Sequence, residues 1–426
     1  MDLWTSAEAR RCVANYDALS APQKSSLLDI LNKQFPPPIY REHRSRQEAA
    51  LRNAESCKTM LDGAEQTFPA LIMQSEVRGA PADLAGYAVV LTAGGDGERL
   101  RAGLQARLAA SGAFGEASLR DFTKPTYRLP GFPDGYGTLH ANCAVIAHLC
   151  CEGGLSVPVI VTTGPKSSAT ARAVPEALKK FENFGLANVR ILAQDECLHL
   201  TADGNIVAVC NGDSARPAVN PDETGGPFVK LLRQGEHGEP SAAEWLLSLG
   251  CSKIIALQAT GLYDPSVILA MAAAGRSRDC LGVGVLRTAF GPDDPFGSFV
   301  IVKKNGRPEV LTIVEQGVRN DATRRLTDAT GKYFLPYNTG LYVFDVGLLA
   351  GNPLPDYATP PKEIVASVPR SPKIGYAITD IVSFAKNAAV LAIDEGSYAN
   401  LKSVDDVTRL VDLAKRCGII DLCKVP

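Results

Sequence analysis

"LTAGGDGERLR", Leu91 to Arg101, follows the apolar run Tyr87–Val90, and its reading decides the fold. A strand that ends in Ala93, Gly94, Gly95 and Gly97 lets backbone N–H groups converge with no side chain in the way. Such a nest attracts anions, helped by the N-terminus of the helix that follows. Arg99 adds a fixed positive charge. No Gly-Lys-Ser/Thr follows, so the turn is not a Walker loop. Gly95 and Gly97 fit the first two glycines of the dinucleotide pattern, but Leu100 stands where the third belongs. Taken alone, the turn suits a ligand-free strand–helix connection equally well.

Around this turn the chain alternates. Strand-like runs are "YAVVLTA" (87–93), "VPVIVTT" (157–163), "VRILA" (189–193), "KIIALQA" (253–259) and "CLGVGVL" (280–286). Helix-like runs lie between them at 139–151, 166–181, 241–249 and 265–274. This alternation predicts a mostly parallel sheet covered on both faces. Hairpin signals at Asp203-Gly204 and Asn305-Gly306 add antiparallel strands, so the sheet is expected to be mixed. Upstream, "ALSAPQKSSLLDILNKQF" has Ser20 as a helix cap, Pro22 in the first turn and leucines at helical spacing. "PPP" at 36–38 stops that helix, and a charged helical stretch, Arg41 to Leu61, follows. Downstream, "AVLAID" reads as a strand, and Ser403 with Asp406 as the cap of a last helix. The expected organisation is a helical extension over 1–80, an α/β domain over 81–390 and a small strand–helix part over 391–426.

The 426 residues suffice for one large domain or two ordinary ones. A formal net charge of -2 provides no global basic field, which argues against nucleic acid and anionic membrane as partners. No apolar run reaches the length of a membrane-spanning helix. Eleven cysteines, an odd number without a CxxC pair, read as reduced thiols, and "MDLWTSAEAR" lacks the form of a secretory signal. A cytoplasmic protein is expected. The five histidines are scattered and do not predict a metal cluster.

"LTAGGDGERLR" also resembles the LxxGGxGTRLG signature of nucleotidyltransferases that make nucleotide sugars, and among them the UDP-sugar pyrophosphorylases. Further motifs follow in that family's order. "DFTKPTYRLPG" supplies Lys124, "ILAQDE" supplies Gln194, and "NPDETGGPF" supplies Gly225 and Gly226. "LTIVEQ" supplies Glu315, "YNTGLYVFD" supplies Asn338 and Thr339, and "ANLKSVDDVTRL" supplies Lys402. The resemblance implies a Rossmann-like nucleotidyltransferase fold, with a mixed sheet flanked by helices.

The implied reaction is attack of a sugar 1-phosphate on the α-phosphorus of UTP, which expels pyrophosphate and forms a UDP-sugar. Positioning and charge neutralisation are the protein's task in such a transfer. The resemblance assigns Arg99, Lys124 and Lys402 to the phosphates. It assigns Ala93, Gly94, Gly95, Gly97, Gln194, Gly225 and Gly226 to the nucleotide, and Glu315, Asn338 and Thr339 to the sugar. It also implies Mg²⁺, yet the stretch that matches the family's metal-binding aspartate reads "LQATGLYD", with no acid before Asp264. Glu98 stands where the family has threonine, and is the candidate to hold Mg²⁺ in place of that aspartate. Two alternatives accompany this reading. One is the same chemistry with another nucleotide or phosphorylated acceptor. The other is a weakened relative that binds a nucleotide sugar as a sensor or partner subunit. The sugar and the oligomeric state are not legible in the sequence.

Overall fold

The computed structural model describes residues 3–94, 97–110, 123–133, 135–235, 238–290, 294–304, 306 and 308–424. Of Glu98, Arg99 and 108–110 it describes the backbone course only. The chain forms two compact units. One comprises 61–194, 227–353 and 379–426; the other comprises 1–60, 195–226 and 354–378.

The larger unit is built on an eleven-stranded mixed sheet. Its strands are β1 (Glu65–Thr67), β2 (Leu71–Met73), β3 (Tyr87–Thr92), β4 (Val159–Thr163), β5 (Val189–Ala193), β6 (Lys253–Gln258), β7 (Cys280–Arg287), β8 (Ser298–Lys303), β9 (Val310–Val314), β10 (Phe334–Asp345) and β11 (Ala388–Ile393). The main path runs β2-β11-β7-β10-β6-β3-β4-β5. β6, β3, β4 and β5 are parallel neighbours, while β10 runs antiparallel to both β6 and β7. β8 and β9 form the hairpin expected around Asn305-Gly306, and β8 also pairs with β1 and with the start of β10.

The apolar runs read from sequence become the inner strands because both faces are covered. Every residue of β4 and the first five of β3 are buried. The helices Thr138–Gly153 and Pro265–Gly275 supply much of the covering layer. Asp264 caps the second of these through Ser266 N–H, with Pro265 in its first turn. At the C-terminal end the expected Ser403 cap does not form: the helix Asp406–Arg416 starts after Asp405, and the Asp406 carboxylate instead accepts from the backbone N–H of Lys402 (2.9 Å) and Ser403 (2.6 Å).

The smaller unit gathers pieces that are distant in sequence. The helix Ala21–Gln34 starts with Ser20 and Gln23 in a capping box, as expected. The prolines at 36–38 both stop it and begin the next helix, Pro37–Lys58, because a helix's first turn does not need their missing N–H groups. Trp4, Leu27, Leu31, Phe35 and Tyr40 pack on Leu198, Leu200 and Ile206. Tyr40 Oη donates to Gly204 O (2.9 Å), in the turn of the hairpin signal at 203–204, which closes as a single bridge between Leu200 and Ile206. This division departs from the segments 1–80, 81–390 and 391–426: the N-terminal helices bury their apolar faces on one another and against 195–226, and the strand at 388–393 belongs to the main sheet.

One buried ion pair ties the smaller unit together. Arg46 Nε donates to Asp356 Oδ1 (2.8 Å), with side-chain exposures of 13% and 19%. The guanidinium also lies 4.4 Å from the Tyr376 ring centroid. Removing one member strands a desolvated charge. Arg46→Ala should lower unfolding free energy by about 3 kcal/mol in urea titrations. The double variant Arg46→Met/Asp356→Leu should regain most of that loss, since no charge is then left buried without its partner.

Candidate functional site

Parallel strands leave their carboxyl ends along one edge of the sheet, where ligands bind in open α/β folds. The register aligns Thr92 of β3 with Gln258 of β6 on one side and Thr162 of β4 on the other. The glycine turn leaves the sheet there. Ala93 is buried, and its N–H donates to Thr162 O (2.7 Å). Gly97 has φ 70, and its carbonyl accepts from Arg101 N–H (2.8 Å) at the start of the helix Glu98–Ala110. Gly95 lies outside the described residues, as do the side chains of Glu98 and Arg99.

Gln194 is brought to this turn. It follows β5, its N–H donates to Thr163 O (3.1 Å), and its side chain is buried. A Cβ on Gly94 would collide with the Gln194 amide oxygen. Glycine at 94 therefore has a specific cause: the backbone and the amide of Gln194 occupy the space that a side chain would need. Gly225 and Gly226 belong to the smaller unit. Gly225 N–H donates to Tyr376 O (2.7 Å), and a Cβ on Gly226 would collide with the Asp222 carboxylate. Close packing within that unit thus accounts for both glycines.

On the other side of β6, β10 carries Asn338, Thr339 and Gly340 to the same edge, where Asn338 pairs with Gly284 of β7. Asn338 Oδ1 accepts from Gly340 N–H (2.9 Å) and from Tyr342 Oη–H (2.9 Å). These two donors fix the amide's orientation. Thr339 differs. It is buried, and its hydroxyl donates to Val283 O (2.7 Å), so its side chain serves the sheet.

Glu315 follows β9. Gly297 lies beside it, since a Cβ there would approach Glu315 Oε1 to 2.9 Å, and Gly297 O accepts from Asn338 N–H (2.8 Å). Glu315 is exposed, and its carboxylate lies against Gly297. Desolvation by the neighbouring protein pushes its carboxyl up and Arg319 draws it down. Asp380, which the sequence reading missed, is close enough to Glu315 to feel its charge. Burial and then that like charge push Asp380 up to about 6. Both acids also act on the Tyr342 phenol that bonds Asn338. Nothing local in "AITDIV" marks Asp380; packing of the helix Ile381–Phe384 on β9 brings it there.

Lys124 is half-buried in a turn in which its carbonyl accepts from Tyr127 N–H (3.2 Å). Lys402 follows the strand Tyr398–Asn400, which pairs with Gly261–Tyr263 just beyond β6. Its Nζ lies 4.5 Å from the Phe296 ring centroid.

The end of β6 holds no acid. Gln258 Nε2 donates to Thr339 O (3.2 Å), and its Oε1 accepts from Asn400 Nδ2. Asn400 Oδ1 accepts from Thr260 Oγ1 (3.0 Å). Asp264 is engaged with Ser266 as a helix cap. Among the described residues no three His, Cys, Asp or Glu side chains gather as a metal site. A hard divalent cation prefers carboxylate oxygens, and a neutral amide already closed on its neighbours does not fit it.

Solved structures with a similar fold include UDP-sugar pyrophosphorylases. A UDP-N-acetylglucosamine pyrophosphorylase from Trypanosoma brucei, in complex with an inhibitor, is similar with a TM-score of 0.68 at 15% identity, over 92% of this chain and 79% of that one. A UDP-glucose pyrophosphorylase variant from Leishmania major gives 0.62 at 15% identity, over 91% and 78%. A putative UDP-N-acetylglucosamine pyrophosphorylase from Entamoeba histolytica gives 0.59 at 15%, over 79% and 82%. No family model and no curated protein matches the sequence. Among the described residues no helix is long and apolar enough to cross a membrane.

The raised Asp380 carboxyl has a consequence for stability. An unfolded aspartate ionises near 4. Folding therefore favours the protonated form, and the penalty is full above pH 6 and is relieved as pH falls towards 4. Asp380→Asn should exceed the parent's stability by about 1–2 kcal/mol at pH 7.5, and the difference should close near pH 4. Denaturant melts of both proteins across that range measure it.

Proposed function

We propose that this chain transfers a uridylyl group from UTP to a sugar 1-phosphate, releasing pyrophosphate and a UDP-sugar. The observation that carries the reading is the meeting of the glycine turn with Gln194 at one edge of the sheet, with Asn338 and Glu315 along the same edge. The pyrophosphorylase fold supports it, and so does the order of motifs along the sequence.

In this reading the backbone at Gly94–Gly97 receives the triphosphate. Gln194, whose side-chain amide offers both a donor and an acceptor, reads the uracil edge. Asn338 Nδ2 donates to a sugar hydroxyl, and the Glu315 carboxylate accepts from another. The nucleophile is a phosphate oxygen that is already ionised, so no protein base has to remove a proton. What the chain must supply is positive charge where two anions meet. Lys124, Lys402 and Arg99 are the residues assigned to that task. Glu98 is assigned to Mg²⁺, whose chemistry when bound is to share the charge of the triphosphate; the end of β6 takes no part in holding it.

Lys124→Ala and Lys402→Ala should each lower kcat/KM for pyrophosphate release by on the order of 10²-fold, about 2.7 kcal/mol of transition-state stabilisation, with circular dichroism unchanged. Losses of less than a few-fold in both would remove the phosphates from these residues. UTP should outcompete ATP and GTP for binding by calorimetry, and the reverse order would move the assignment to another nucleotide.

The neutral end of β6 favours a second reading, a protein that binds a nucleotide sugar with little turnover. Tight binding of UDP-glucose or UDP-N-acetylglucosamine, with no pyrophosphate released from UTP and a panel of sugar 1-phosphates, would select it.

A further inference from the structure

Phe296 is a large aromatic residue left half-buried at the edge of the sheet, one residue before Gly297 and β8. One face of its ring stacks on Tyr337, with centroids 4.5 Å apart and planes at 22°. The Lys402 ammonium lies 4.5 Å from the same ring's centroid. Tyr337 directly precedes Asn338, so the ring stands between the lysine and the strand that carries the proposed sugar contact.

The ring is held from behind with more apparatus than a packed hydrophobe needs. Phe296 N–H donates to Asp294 Oδ1 (3.0 Å). Asp294 is in turn bonded by two arginines: Arg287 Nη1 to its carboxylate and Arg319 Nη2 to its carbonyl. Arg287 also donates to Ser298 Oγ (2.8 Å) and lies 5.6 Å from the Tyr337 ring centroid. The Arg319 side chain has 0% exposure. The clasp therefore fixes both the backbone of Phe296 and the tyrosine on which it stacks.

We propose that Phe296 is a positioning residue, a seat that holds the Lys402 ammonium beside Asn338 and Glu315 until a sugar phosphate arrives. The inference rests on the assignment of Lys402 to that phosphate. A lysine has a flexible four-carbon stem and a strongly hydrated head, and left free its charge is spread over many rotamers. The negative face of an aromatic ring attracts an ammonium and restricts that spread. The backbone of Lys402 is tied by Asp406 (2.9 Å), and the ring adds a restraint at the charged end. Pre-placed charge lowers the ordering cost of binding an anion. Leucine at 296 would fill a similar volume and would offer no such face; tyrosine would keep it.

The experiment uses the whole chain with its lysines reductively ¹³C-dimethylated, which preserves their charge. The Lys402 methyl resonance is identified by its absence in Lys402→Arg. In the ligand-free parent and in Phe296→Tyr that resonance should be displaced upfield by the ring current. In Phe296→Leu that displacement should be lost. Addition of UDP-glucose or UDP-N-acetylglucosamine to the parent should move it. Phe296→Leu should bind the UDP-sugar about two- to five-fold more weakly, and Phe296→Tyr should restore the parent's affinity. An undisplaced parent resonance, or equal affinity in the leucine variant, overturns the seat and leaves the proposed function standing. A displaced resonance in a parent that binds neither UDP-sugar overturns the proposed function, and with it the phosphate that the seat serves.

Discussion

The register that sets Thr92 of β3 beside Gln258 of β6 is the constraint on which the candidate site depends. In a parallel pair buried on both faces the register is fixed by packing, because a slip of one residue would exchange the side-chain volumes facing each covering layer. Val89, Val90 and Leu91 lie beside Ile255, Ala256 and Leu257, all of them buried. With that pair locked, the glycine turn, Gln194 beyond β5 and the first half of β10 arrive at one level of one edge. A loop alone would not hold them there, since loops carry little of their own stability.

The antiparallel strand β10 does a second task at this edge. Its insertion between β6 and β7 breaks the parallel run and brings polar residues, Asn338 and Thr339, into the middle of the sheet. Polar groups there must be satisfied or open to a ligand. Thr339 is satisfied by Val283 O, and the Asn338 oxygen by Gly340 and Tyr342. Two adjacent residues of one motif therefore differ: the Thr339 hydroxyl closes the sheet, and the Asn338 amide is the group proposed to donate to the sugar.

Much of this was legible in the sequence, and what was legible was local. The strand–glycine–helix unit, β3 to β7, the cap at Ser20 and the β8–β9 hairpin depend on residues a few positions apart. Their cause is backbone conformation and side-chain period, which a linear reading can see. What was not legible depends on long-range placement. The Gln258–Asn400 amide pair joins residues 142 apart, and Asp380 reaches Glu315 only because a short helix packs on β9. The smaller unit draws on three separate segments, and no composition shift marks the borders at 60, 194 and 353. The resemblance assigns Gly225 and Gly226 to the nucleotide, and a linear reading could not show that Tyr376 and Asp222 pack beside them. A glycine records that room was needed, not what fills it.

The neutral end of β6 bears on how charge is distributed in the proposed reaction. Two phosphates approach there, and the transition state gathers negative charge over oxygens that water no longer screens well. An acid at the strand end would add to that charge unless a cation covered it. Gln258 and Asn400 add none, and their hydrogen bonds to Thr339 and Thr260 leave the sheet edge rigid. In the proposed reaction the burden of neutralisation would fall on groups at the margins of the sheet: the turn amides, Arg99, Lys124, Lys402 and the Mg²⁺ assigned to Glu98. Such a site holds its charges on flexible stems and needs each of them restrained. The anchoring of Lys402 at its backbone by Asp406 and at its head by Phe296 is what that requirement predicts for a lysine at the margin of an uncharged strand end.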